Sequence, residues 1–161
     1  MSVNRPENIS STGIPVKKDA FVVIIRTEWN DKILTALELG SRKVLDDYQV
    51  SHEVINVPGA FEISFAIKNH FENAIKKPDA YIALGCVLRG DTPHFEYVCQ
   101  AVTNGILQLN LSLPVPSIFG ILTVDNQIQA EERIGGKHGH KGEEAAITAL
   151  KMMALVDANK Q

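Results

Sequence analysis

"AYIALGCVLRGDTPHFEYV", residues 80 to 98, changes its period halfway along. Residues 80 to 88 are apolar without a break, as in a strand covered on both faces. Arg89-Gly90-Asp91-Thr92-Pro93 then stops the run. From His94 onward apolar residues return at helical spacing, with Phe95, Val98, Cys99, Val102, Ile106 and Leu109 on one stripe that ends at "LSLP".

The same change recurs on either side. "AFVVIIR" (20 to 26) predicts a strand, and "KILTALELGSRKVLDDY" (32 to 48) a helix burying Ile33, Leu34, Leu37, Val44, Leu45 and Tyr48. "SHEVINV" (51 to 57) predicts a second strand, followed by a helix presenting Ile63, Ile67, Phe71 and Ile75. After the stretch at 80 to 98 comes a fourth strand, "PSIFGILTV" (116 to 124), and a short helix over 125 to 133. "GGKHGHKG" (135 to 142) interrupts the chain before a last helix over 143 to 157. Strands apolar on both faces, alternating with amphipathic helices, define an α/β protein: a doubly wound, four-stranded parallel sheet between two helical layers, a three-layer sandwich.

The chain of 161 residues is one domain in length, with 45% apolar and 22% charged residues and a net charge of -3. No apolar run approaches the roughly 18 residues of a membrane span. Lys and Arg are scattered, leaving no basic patch for nucleic acid. Residues 16 to 161 form the expected domain. Residues 1 to 15, polar and containing Pro6, Gly13 and Pro15, are expected to be a flexible arm or a strand that only a partner orders. The opening has neither the basic start nor the apolar stretch of a secretory signal. Cys86 and Cys99 are read as buried small hydrophobes, which fits a reducing cytoplasm.

In a doubly wound sheet, ligands bind outside the carboxyl ends of the strands. Every unusual cluster falls at that edge: "TEWND" after strand one, "PGAFE" after strand two, "RGDTPH" after strand three and "FGILTVDN" closing strand four. Trp29 is either a hydrophobic staple on the next turn or a stacking platform for a flat heterocycle. Gly59 either starts a helix or lets backbone amides approach a ligand, with Glu62 as an acceptor for hydroxyls. In "RGDTPH", Thr92 caps the helix and Pro93 takes its first position. His94 is left without a structural task, and an imidazole passes protons near neutral pH. Arg133, Lys137, His138, His140 and Lys141 form a basic cluster. The two histidines lack a carboxylate partner and make a weak zinc signal, whereas Arg133 and Lys141 suit phosphate.

Taken together, "VPGAFEI", "ALGCVLRGDTPHFEYV", "FGILTVDNQIQAEERIGGKHGHKGEEAA" and the pair "WN" resemble the lumazine synthase family, over about residues 16 to 156. The resemblance implies a flavodoxin-like fold. It also implies a transferase of riboflavin biosynthesis that condenses 5-amino-6-(D-ribitylamino)uracil with 3,4-dihydroxy-2-butanone 4-phosphate and needs no metal or organic cofactor. By that resemblance Trp29 stacks on the pyrimidine. Ala60, Phe61 and Glu62 hold the ribityl chain and ring polar groups, with Cys86, Val87 and Leu88 lining the same pocket. Asp91, Thr92 and Arg133 receive the phosphate, and Lys141 supports them. His94 moves the protons, and Phe119 comes from a neighbouring subunit. The family further implies a homopentamer, in some members closed into a sixty-subunit shell, and riboflavin synthase as a partner.

Two other readings compete. A flavin-binding or shell-forming protein would also use Trp29, but has no need of a phosphate clamp. A receiver domain of similar fold wants an acidic cluster after strand one, which "TEWND" does not supply convincingly.

Overall fold

The four apolar runs become β1 (Phe21–Thr27), β2 (Ser51–Val57), β3 (Ala80–Leu88) and β4 (Ser117–Val124), paired in parallel in the order β2-β1-β3-β4. The structure is a computed structural model and describes residues 9–160. Between the strands run α1 (Asp31–Asp47), a 3-10 turn (Ala60–Glu62) leading into α2 (Ile63–Asn73), and α3 (His94–Ser112). After β4 come the short α4 (Gln127–Glu131), a small hairpin of β5 (Ile134–Gly136) and β6 (Gly139–His140), and α5 (Lys141–Asn159).

The strand order explains the layers. The chain steps from β1 outward to β2, then reverses past β1 to β3 and on to β4. Parallel crossovers are right-handed, so reversing direction moves the connecting helices to the opposite face. Accordingly α1, with α5 packed beside it, covers one face: Val22, Ile24, Ile82 and Leu84 meet Leu34, Leu37 and Leu150 there. On the other face Val23, Ile25, Tyr81 and Ala83 meet Ile63, Ile67, Val102 and Ile106 of α2 and α3. Successive residues of β1 thus serve two cores, which is why its run has no polar interruption. Each fully buried Leu or Ile contributes about 1.5–3 kcal/mol, so these two cores hold the sandwich together.

Several boundaries and burials differ from expectation. Ile75 is fully exposed at 104%, because α2 ends at Asn73 and leaves it beyond the buried stripe, while Phe71 is half-buried. Cys86 is buried, but Cys99 is only half-buried, turned toward the outer side of α3. α3 begins one residue late: Pro93 precedes its first turn, and Thr92 Oγ1 accepts from the His94 N–H at 3.5 Å. The glycine-rich stretch expected to be a plain break is instead the β5–β6 hairpin. In the arm, residues 1–8 lie outside the described residues. Residues 9–15 do find partners in their own chain: Ile14 packs on the core, as does the adjoining Val16, and the Tyr48 hydroxyl donates to the Ser11 carbonyl. β4, at one end of the sheet order, keeps a free edge beside which Ile9 lies.

Candidate active site

Reversal of winding between β1 and β3 separates the loops that follow them, and that opening is where a doubly wound sheet offers a crevice. A pocket of about 640 Å³ occupies it. β1 supplies Thr27, Trp29 and Asn30; the turn after β2 supplies Gly59 to Glu62; β3 supplies Cys86, Val87 and Leu88; α3 supplies His94 and Val98.

Trp29 is 73% exposed, too open for a staple, and presents its ring to the pocket. It is held by its neighbour. Asn30 adopts a left-handed backbone (φ 60°), a conformation asparagine tolerates, and its carbonyl accepts from Ile33 and Leu34 N–H. Its Nδ2 donates to the Cys86 carbonyl at 2.8 Å, tying the Trp29 loop to the end of β3. Across the pocket, Gly59 leaves space that a side chain would fill: an added Cβ would lie 3.0 Å from Glu62 Oε2 and 3.6 Å from Trp29 Cδ1. The glycine therefore lets the carboxylate and the indole close on one another. Phe61 is exposed at the rim. Burial pushes the Cys86 thiol up to about 11, so this wall of the pocket is neutral near pH 7.

His94 stands exposed in the first turn of α3 and faces the same pocket. Asp91 and Thr92 line an adjoining recess of about 560 Å³ together with Arg89, Glu96 and Tyr97. The remaining three expected site residues are not in either space. Arg133 lies between α4 and β5, its guanidinium donating to the Gln129 carbonyl at 2.7 Å. Phe119, 43% exposed, and Lys141 line a separate groove of about 680 Å³ along the free edge of β4. There Lys141 Nζ pairs with Glu144 at 2.9 Å. One chain thus gathers Trp29, Ala60, Phe61, Glu62, Cys86, Val87, Leu88 and His94, sets Asp91 and Thr92 next door, and holds Phe119, Arg133 and Lys141 apart.

The histidines of "KHGHKG" have separate occupations. His138 N–H donates to the Glu132 carbonyl at 2.8 Å. The His140 ring caps α5, with Nδ1 accepting from Glu143 N–H at 3.4 Å, and occupies the space over Gly40 of α1. Among the described residues, no three His, Cys, Asp or Glu side chains come together as metal ligands.

Thr27, Asn30 and Val98 escaped the sequence reading of the pocket. Asn30 had a signal, since an asparagine directly before a helix favours a cap or a left-handed turn. Thr27 and Val98 had none, looking like ordinary core positions.

A parallel three-layer fold, with an aromatic platform, a carboxylate and an imidazole meeting at its switch point, defines a flavodoxin-like protein built to hold a flat, polar-edged heterocycle and move protons on it. A family model described as 6,7-dimethyl-8-ribityllumazine synthase matches residues 19–157. The chain belongs to that family. It is 50% identical over 145 residues to the 6,7-dimethyl-8-ribityllumazine synthase of Porphyromonas gingivalis, covering 88% of this chain and 89% of that protein. The enzyme of the same name from Parabacteroides distasonis is 47% identical over 143 residues (87% and 88%), and that from Cytophaga hutchinsonii 46% over 154 residues (92% and 95%).

Proposed function

We propose that this chain makes 6,7-dimethyl-8-ribityllumazine from 5-amino-6-(D-ribitylamino)uracil and 3,4-dihydroxy-2-butanone 4-phosphate, releasing phosphate and water, as a step of riboflavin biosynthesis. The observation that carries the proposal is the meeting of Trp29, Glu62 and His94 in one pocket of a chain from the matching family. The indole stacks on the pyrimidine. Backbone groups of Ala60, Phe61 and Cys86 to Leu88, with the Glu62 carboxylate, satisfy the ring edges and ribityl hydroxyls. Amine addition to the ketone, loss of water, β-elimination of phosphate and ring closure each move a proton, and His94 is placed to carry it. Asp91 and Thr92 border the phosphate, with the Asp91 carboxylate turned from it.

Phe119, Arg133 and Lys141 complete the site from a neighbouring copy, since they lie outside the pocket of their own chain. A head-to-tail ring gives every subunit one such complement. We take that ring to be a pentamer, which closes further into a sixty-subunit shell, resides in the cytoplasm and works alongside riboflavin synthase. No helix among the described residues is long and apolar enough to cross a membrane. The deciding experiment mixes purified protein with both substrates and follows the lumazine absorbance; absence of product at any protein concentration would refute the proposal.

A further inference from the structure

The loop from Gly90 to Pro93 is exposed and carries little packing of its own; even a Cβ added at Gly90 would meet no atom within 4 Å. Yet it leads directly into His94 and contains Asp91 and Thr92, whose use demands placement to a fraction of an ångström. What fixes it is a side chain at its start. Arg89 Nε donates to Asp125 Oδ1 at 2.7 Å, beyond the end of β4, and Arg89 Nη1 donates to Glu96 Oε1 in the first turn of α3. The guanidinium also lies over the Phe95 ring, 4.2 Å from its centroid. Its backbone N–H donates to the Val124 carbonyl at 2.9 Å, so the anchor itself is part of the sheet.

We propose that Arg89 is a positioning residue for the reaction: a clasp joining both ends of the 90–93 loop to the β4 terminus, thereby setting where His94, Asp91 and Thr92 stand. This rests on the reading of His94 as the proton carrier. Arginine suits the task because its planar fork binds two carboxylates in different directions while its face stacks on an aromatic ring. Hydrogen bonding to the guanidinium holds the carboxyls of Glu96 and Asp125 below their ordinary range, so both are charged and the clasp is closed at neutral pH. Exposed ion pairs add little to global stability, so the loss of this one is felt in loop geometry and hardly in melting.

The test compares Arg89→Met, which keeps the stem and removes the fork, with Arg89→Lys, His94→Ala and the double variant R89M/H94A. Turnover, the KM of each substrate, the melting temperature and quenching of the single tryptophan by the pyrimidine are measured for each. The expected result is a roughly 10- to 100-fold fall in kcat for Arg89→Met with a raised KM for the butanone phosphate. Melting and pyrimidine quenching stay near wild type, Arg89→Lys recovers part of the loss, and the double variant is no slower than His94→Ala alone. Wild-type kcat for Arg89→Met beside an impaired His94→Ala would overturn the clasp alone. A large drop in melting, or equal rises in both KM values, would overturn it in favour of a structural arginine. An unimpaired His94→Ala would overturn the reading of the site and the clasp with it.

Discussion

His94 is exposed and makes no core contact, so its removal is a clean probe of chemistry. His94→Ala is expected to fold normally and to lose about 10- to 100-fold in rate, the remainder of the acceleration coming from positioning; steady-state kinetics beside a thermal melt check both halves. Arg133→Ala is expected to raise the KM for the butanone phosphate far more than that for the pyrimidine, because only one substrate carries phosphate. Equal effects would mark a structural arginine. Cys86 gives an alkaline signature. With its pKa raised from 9.0 to about 11 by burial, the unfolded thiol loses its proton first, so the unfolded state holds fewer protons between those values and stability falls as pH rises through that window. The Tyr81 hydroxyl, also raised by burial, acts in the same direction. Urea midpoints at pH 8.5 and 10.5 should show the fall, and Cys86→Val should flatten part of it. At this scale the sequence exposed Trp29, Glu62 and His94 because each is costly or idle in a purely structural account. It hid Arg89, whose partners Glu96 and Asp125 are brought to it only by the parallel pairing of β3 with β4.

The elements were legible where one period ran long enough. β2 and β3 match the expected limits, and the others shift by a residue or two at their ends. The hairpin was not legible, because two and three residues are too few to show alternation, and glycine-rich sequence is also that of a loose loop. Its purpose is visible only in packing: it delivers His140 onto Gly40 and starts α5 flat against α1. Gly142 makes that approach possible, since a Cβ there would stand 2.1 Å from the Leu37 carbonyl oxygen, and the Ser41 hydroxyl donates to the Gly142 carbonyl at 2.8 Å. Gly142→Ala is therefore expected to cost about 1–3 kcal/mol as the helices are forced apart, measured by chemical denaturation. A neutral result would mean that α1 and α5 slide freely.

For the whole molecule, the decisive quantity is mass. The pocket holds eight of the expected residues and lacks Phe119, Arg133 and Lys141, so light scattering on purified protein is expected to give at least five chains and, with the shell closed, sixty. A mass near 17.7 kDa with full activity would mean that one chain suffices. The architecture was legible because every strand but the polar edge of β2 is apolar on both faces; the missing neighbour was not, since a residue serving another copy looks like any exposed side chain. The strand order also has a meaning in time. As synthesis proceeds, β2 joins β1, β3 takes the other side of β1, and β4 takes the outer side of β3, each newcomer occupying the border its predecessor left. β2's outer border bears Ser51, Glu53 and Asn56 in solvent and discourages strangers. β4's bears Phe119 and inherits no successor, so from the moment the chain leaves the ribosome a clock runs between meeting a sister chain and meeting a wrong one.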